Sequence, residues 1–249
     1  MKKYSKNGAL FAVLIVAAAG IYLLDKEAQP VPAAVAQKEA ATEVRAASGL
    51  QPEIVRGDSS KKQVIFTFDG GASAESGEAI LRALKKHGVV GTFFLTGKFA
   101  EQNPELVKKI TGDRHEIFNH TYSHPDLTTL TEGEIKEEFD RADAIISGLI
   151  GKSTKPYFRP PYGARNARVL ETAGESGYQS VYWTVDVLDW KESAGFTAAQ
   201  AKERILKNLE PGTIYLMHIG DTITGTVLGE VLTEIESRGY AVVSLTKGI

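Results

Sequence analysis

Val64-Ile65-Phe66-Thr67-Phe68, ending on Asp69, is an apolar run of strand length, and the pattern downstream of it sets the fold. Glu78 to His87 carries Ala79, Ile80, Leu81 and Leu84 at helical spacing and stops at Gly88; Val89 to Leu95 then reads as a second strand. The alternation continues. Pro104 to Ile110 is a helix with proline at its start, and Glu116 to Phe118 is a short strand. Thr131 and Glu134, spaced as a capping box, open a helix to about Leu149. Tyr157-Phe158-Arg159, Gln179 to Thr184, Thr213 to Met217 and Tyr240 to Leu245 read as strands. Ala167 to Ser176, Ala198 to Leu209 and Val227 to Ser237 read as helices. Strands alternating with helices predict parallel βαβ units, and short apolar strands suit a sheet covered on both faces. The expected α/β fold is a distorted (β/α) barrel of about seven parallel strands, near the usual eight of the closed form. An open doubly wound sheet is the alternative, but Gly70-Gly71-Ala72-Ser73 has neither the GxGxxG order nor the lysine of a phosphate loop.

Composition narrows the function class. The chain has 249 residues and a net charge of −2, so it can bury a large core and offers no basic field for nucleic acid. It has no cysteine, which excludes disulfides, thiolate zinc sites and a cysteine nucleophile.

The N-terminus sets the expected compartment. Lys2, Lys3 and Lys6 precede an apolar run from Gly8 to Leu24, which Asp25-Lys26-Glu27 closes. The run is at the short end for a membrane span and long for the core of a signal peptide. The positive flank predicts an N-terminus kept inside and a domain exported. Residues 1–27 are therefore read as a signal anchor facing a domain outside the cytoplasm. The alternative is a cleaved signal peptide and a secreted protein, for which Ala34-Val35-Ala36 fits a cleavage site. Residues 28–60, rich in Ala, Gln, Glu, Pro and Lys, read as a flexible linker, and residues 61–249 as the folded domain.

Polar residues collect just past the strand ends. His120 and His124, in Asn119-His120-Thr121-Tyr122-Ser123-His124-Pro125, are spaced i,i+4, which on a helical turn would stack two imidazoles to grip one divalent metal. Asp69 follows the first strand and His218 the strand Thr213 to Met217. Arg159-Pro160-Pro161-Tyr162-Gly163 and Asp186-Val187-Leu188-Asp189-Trp190 complete five clusters. In a barrel such residues converge on one mouth. Singly, each has a structural reading as a turn, an ion pair or a packed ring.

The five clusters, in this order, resemble the motifs of the polysaccharide deacetylases, carbohydrate esterase family 4 with its NodB-homology domain: TFDDG, H-[ST]-x-x-H-P, R-x-P-Y, D-x-x-D-W and L-x-M-H. The resemblance spans roughly residues 61–247. It implies a metal-dependent hydrolase that removes N-acetyl groups from N-acetylglucosamine units of a cell-wall glycan. Peptidoglycan is favoured over chitin because the domain would sit outside the membrane. By the same resemblance His120 and His124 hold the metal, Asp69 is the general base and Arg159 pairs with it. His218 is the general acid, oriented by Asp189, and the backbone N–H of Tyr162 joins the metal in steadying the oxyanion. Tyr162 and Trp190 would wall the sugar groove. Asp186 reads as structural. Two imidazoles with oxygen donors suit zinc, with cobalt, nickel or manganese as alternatives.

One position departs from the pattern. Gly70 stands where the family has a metal-binding aspartate. The shell would then be completed by water, by substrate, by Asp69 or by Glu75. The alternatives to N-deacetylation are an O-acetyl (xylan-type) esterase and a glycan-binding module that has lost turnover.

Overall fold

The computed structural model describes residues 51–71 and 73–249. The expected anchor over 1–27 and the linker up to residue 50 lie outside the described residues. Among the described residues eight parallel strands alternate with helices. The strands are β1 (Gln63–Gly70), β2 (Thr92–Leu95), β3 (Glu116–Asn119), β4 (Tyr157–Phe158), β5 (Gln179–Ser180), β6 (Val185–Asp186), β7 (Ile214–His218) and β8 (Ala241–Val243). The helices are α1 (Gly77–Lys86), α2 (Gly97–Gln102), α3 (Pro104–Gly112), α4 (Glu132–Ile150), α5 (Ala167–Glu175), α6 (Ala198–Lys207), α7 (Ile223–Ser237) and the short α8 (Leu245–Gly248).

Seven strands run in the order β5-β4-β3-β2-β1-β7-β6, with β8 added beside the start of β1. This is the expected distorted barrel, left open between β5 and β6. β1 is its spine, and Val64, Ile65, Phe66 and Phe68 are almost wholly buried. Each such side chain contributes about 1.5–3 kcal/mol by leaving water. Phe68 stacks on Phe93 of β2, and Phe66 meets Tyr215 of β7 edge-on. The apolar faces of α1, α3, α6 and α7 cover this layer through Ile80, Leu84, Val107, Ile205 and Val231.

Differences from the expected elements have local causes. β2 starts at Thr92 because Val89 is taken by the end of α1: Gly88 adopts φ 64° and the Val89 N–H donates to the Leu84 carbonyl. Helix α2 was not expected; Thr96 starts it by accepting the Phe99 N–H on its hydroxyl. The run Gln179 to Thr184 leaves the sheet after Ser180, and Val181 and Tyr182 turn their carbonyls to Arg159. Residues 53–58, which composition places in the linker, pair with the domain: Ile54 exchanges backbone bonds with Ser180 and Tyr182, and Glu53 binds Arg165.

Candidate active site

The strand ends are stepped, and each step delivers one polar side chain. The His120 N–H donates to Leu95 O at the end of β2, and the Arg159 N–H to Asn119 O at the end of β3. The Ile219 N–H donates to Asp69 O at the end of β1, and Asp69 and His218 are register partners across β1 and β7. Local sequence thus fixes which residues emerge together.

Arg159 is fully buried and every nitrogen of its guanidinium is used. Nη1 donates to Asp69 Oδ1 at 2.7 Å and to Thr67 Oγ1 at 2.8 Å; Nε and Nη2 donate to the carbonyls of Val181 and Tyr182. Its Cζ lies 4.2 Å from the Phe94 ring centroid. Burial lowers its pKa, against the opposing pull of Asp69. The planar fork therefore fixes the orientation of the Asp69 carboxylate.

The other Asp69 oxygen lies 3.5 Å from His120 Nε2. His120 Nδ1 bonds the Arg159 carbonyl at 2.8 Å, which leaves Nε2 as the free lone pair. The rings of His120 and His124 meet edge-on with centroids 4.9 Å apart. Burial lowers the pKa of both. His124 is held down to about 4, with His120 as a second cause, so both rings are neutral, as a metal ligand must be. The expected helical turn is absent. The pair sits on an irregular loop where Thr121 and His124 adopt φ 68° and 62°, and this bend, not helical stacking, turns the rings toward each other.

The donor set fits a divalent metal on two imidazoles, with oxygen supplied from outside the pair. Among the described residues no carboxylate joins both rings as a compact third ligand, and Glu75 is exposed. At Gly70 a Cβ would stand 2.7 Å from Leu95 Cδ2 and 3.1 Å from Ile219 Cδ1, so a side chain there would enter apolar packing. At Gly71 it would stand 3.5 Å from His124 Cδ2. The direction toward the rings therefore opens at position 71.

Across the mouth, His218 Nδ1 bonds Asp189 Oδ1 at 2.8 Å. Asp189 is fully buried and also accepts from the N–H groups of Trp190 and His218 and from the Thr224 hydroxyl. Burial pushes the His218 pKa down, but the hydrogen bond and charge of Asp189, with Asp69 and Asp221 behind it, outweigh burial and raise it to about 9. Asp221 was missed in the sequence. One of its oxygens caps α7 at Thr224, and the other is buried with no partner among the described residues. Burial, then the Asp189 charge, raise its pKa to about 7. Asp189, His218 and Asp221 have ligand atoms within 4.8 Å of one another. With four donors already on Asp189, a cation there would have to displace them, so the group handles protons better than metal.

Tyr162 and Trp190 are largely exposed at the rim, at 73% and 52%. Tyr162, in a 3-10 turn with φ 57°, sets its ring edge-on against His124. The Trp190 indole N–H donates to Asp186, the structural role expected of that aspartate. All eight residues expected at the site thus lie at strand ends of one sheet or on the segments that follow them.

Comparison with known proteins agrees with this geometry. The family model described as polysaccharide deacetylase matches residues 56–181. The chain is 35% identical to the peptidoglycan-N-acetylmuramic acid deacetylase of Bacillus subtilis over 76% of this chain and 72% of that protein. It is 37% identical to the peptidoglycan-N-acetylglucosamine deacetylase of Bacillus cereus, over 76% of this chain and 69% of that one. Among solved structures, a family 4 carbohydrate esterase pseudoenzyme from Bacillus anthracis superposes with a TM-score of 0.74 at 31% identity, covering 79% of this chain and 68% of that one.

Proposed function

Because the chain belongs to the polysaccharide deacetylase family, we propose that it hydrolyses the N-acetyl groups of amino sugars in peptidoglycan. The observation that carries this reading is the facing pair of Asp69, clamped by Arg159, and His218, clamped by Asp189. An amide needs both a base for the attacking water and an acid for the departing amine.

Asp69 accepts the proton of the attacking water while Arg159 keeps its carboxylate aimed. His218 carries its mobile proton on Nε2, since Nδ1–H is committed to Asp189, and delivers it to the nitrogen as the C–N bond breaks. His120 and His124 would hold a divalent metal, zinc by donor type, which supplies Lewis acidity and an activated water. Tyr162 and Trp190 offer flat faces to pyranose rings.

The Lys2, Lys3 and Lys6 flank and the apolar run behind it support a domain presented outside the cytoplasm, near the wall glycan. Two observations favour a second reading: among the described residues no carboxylate groups compactly with both imidazoles, and a solved relative is a pseudoenzyme. On that reading the chain binds glycan without turnover. The test is acetate release by the purified full-length chain from peptidoglycan fragments with added zinc, beside Asp69→Asn and with acetylated xylan as a control polymer. Release by the wild type alone supports deacetylation. Equal release by both, or none from either with glycan binding kept, supports the binding module, and preference for xylan supports an O-acetyl esterase.

A further inference from the structure

The loop that carries the two histidines is held from outside the mouth by a residue with no assigned part in the chemistry. Glu138 lies on α4, half-buried behind the loop. Its Oε2 accepts the N–H of Tyr122 at 2.9 Å and of Ser123 at 2.7 Å, and its Oε1 accepts the Ser123 hydroxyl at 2.6 Å. Among the described residues Glu138 has no salt-bridge partner. Arg141, one turn further along α4, donates to the Tyr122 hydroxyl and lies 3.5 Å from the centre of that ring. The Glu138 carboxylate is therefore spent on the loop, and two of its three bonds go to consecutive backbone amides.

Those amides belong to the two residues between Thr121 and His124, the pair with positive φ. A left-handed conformation at a β-branched threonine costs of order 1–3 kcal/mol, and it persists only where neighbours impose it. The opposite edge of the same peptides is held too. The carbonyls of Thr121 and Tyr122 accept from the N–H groups of Gly97 and Lys98 at the start of α2. Gly97 allows this approach, since a Cβ there would meet Tyr122 Cδ2 at 2.6 Å. Inside the loop, Asn119 Oδ1 accepts the Thr121 N–H and Thr121 Oγ1 the His124 N–H. The peptides joining the histidines are thus clamped by α2 on their carbonyl side and by Glu138 on their amide side.

We propose that Glu138 is a positioning residue for the metal pair: its carboxylate holds residues 121–124 in the one bend that faces the rings of His120 and His124. This rests on the metal-binding reading of those histidines. It assigns to α4, a helix that carries none of the eight residues expected at the site, the geometry of a ligand pair with which no carboxylate groups compactly among the described residues. Where protein ligands are few, the spacing of those present decides affinity, and loss of an orienting partner lowers metal affinity by roughly 10- to 100-fold.

The test uses the full-length chain as wild type, Glu138→Ala and Glu138→Gln. In metal-free protein, amide exchange at Tyr122 and Ser123 is expected to rise about tenfold or more in Glu138→Ala. In Glu138→Gln, whose side-chain carbonyl still accepts both amides, it should stay near wild type. Zinc titration by calorimetry should show affinity lower by roughly 10- to 100-fold in Glu138→Ala and by a few-fold in Glu138→Gln. Unchanged exchange at the two amides overturns the clamp, and zinc affinity in Glu138→Ala within twofold of wild type overturns the positioning role. If Glu138→Ala does not fold, Glu138→Asp, with its carboxylate withdrawn by one methylene, is measured against the same thresholds. A wild type with a protected loop that binds no zinc overturns the metal reading of the site, and the positioning role with it.

Discussion

Asp69 and His218 stand side by side as register partners on β1 and β7, with their functional ends braced from opposite directions, by Arg159 and by Asp189. The proposed base and acid therefore sit on the two strands joined by the longest ladder of the sheet, and their separation is set by backbone, not by flexible loops. Replacing either should remove turnover. Asp69→Asn and His218→Ala are each expected to lower kcat for acetate release by roughly 10²-fold or more, with glycan affinity nearly unchanged. A change confined to KM would exclude these roles.

The acid should set the alkaline limit. With its pKa raised to about 9, His218 keeps its mobile proton through neutrality, and activity should fall as pH rises past about 9. Asp189→Asn removes the main upward influence and should move this limb down; Asp221→Asn should move it down by less. Stability follows the same sign. The folded value lies above the 6.5 of an ordinary histidine, so the contribution is complete below about 6.5 and is lost as pH climbs through about 9. Thermal melts of wild type and His218→Gln across that window measure it, and the two curves should converge on its alkaline side.

Arg159 binds Asp69 inside the protein, where an uncompensated charge is costly. Arg159→Met should destabilise the domain by about 3–5 kcal/mol in denaturant titrations, because it strands Asp69 and two carbonyls. Arg159→Lys keeps the charge but not the fork, and should retain more stability than activity.

The two adjacent glycines should respond differently to a carboxylate. Gly71→Asp places its Cβ beside the His124 ring and is expected to tighten zinc binding by roughly tenfold or more, read by calorimetry. Gly70→Asp drives a carboxylate against Leu95, Ile219 and Phe99. It should lower the melting temperature without a matching gain in affinity. The reverse pattern would restore position 70 as the ligand-side residue.

What the sequence made legible was local. Asp69, His120, Arg159, Asp189 and His218 each follow a strand or a turn whose apolar pattern is continuous with the residue itself, so register along the chain placed them. Glu138 and Asp221 had no such signal. Glu138 lies mid-helix in a run of charges, and its meaning comes from amides 15 and 16 residues away. Asp221 has a part only once Asp189 is seen beside it. The histidine pair shows the opposite case: the spacing brought the two rings together, as the structure does, but through a helical turn the backbone does not make. Thr121 bends there because distant partners compel it, and propensity carries no trace of them.

Arg159 also bears on how the domain comes apart. The sheet is unjoined between β5 and β6, and the carbonyls of Val181 and Tyr182, at the departure from β5, are fastened to the same guanidinium that aims Asp69. Opening of that seam would therefore misaim the proposed base. Heated gently, the protein should fall silent as a catalyst while the rest of its sheet still stands.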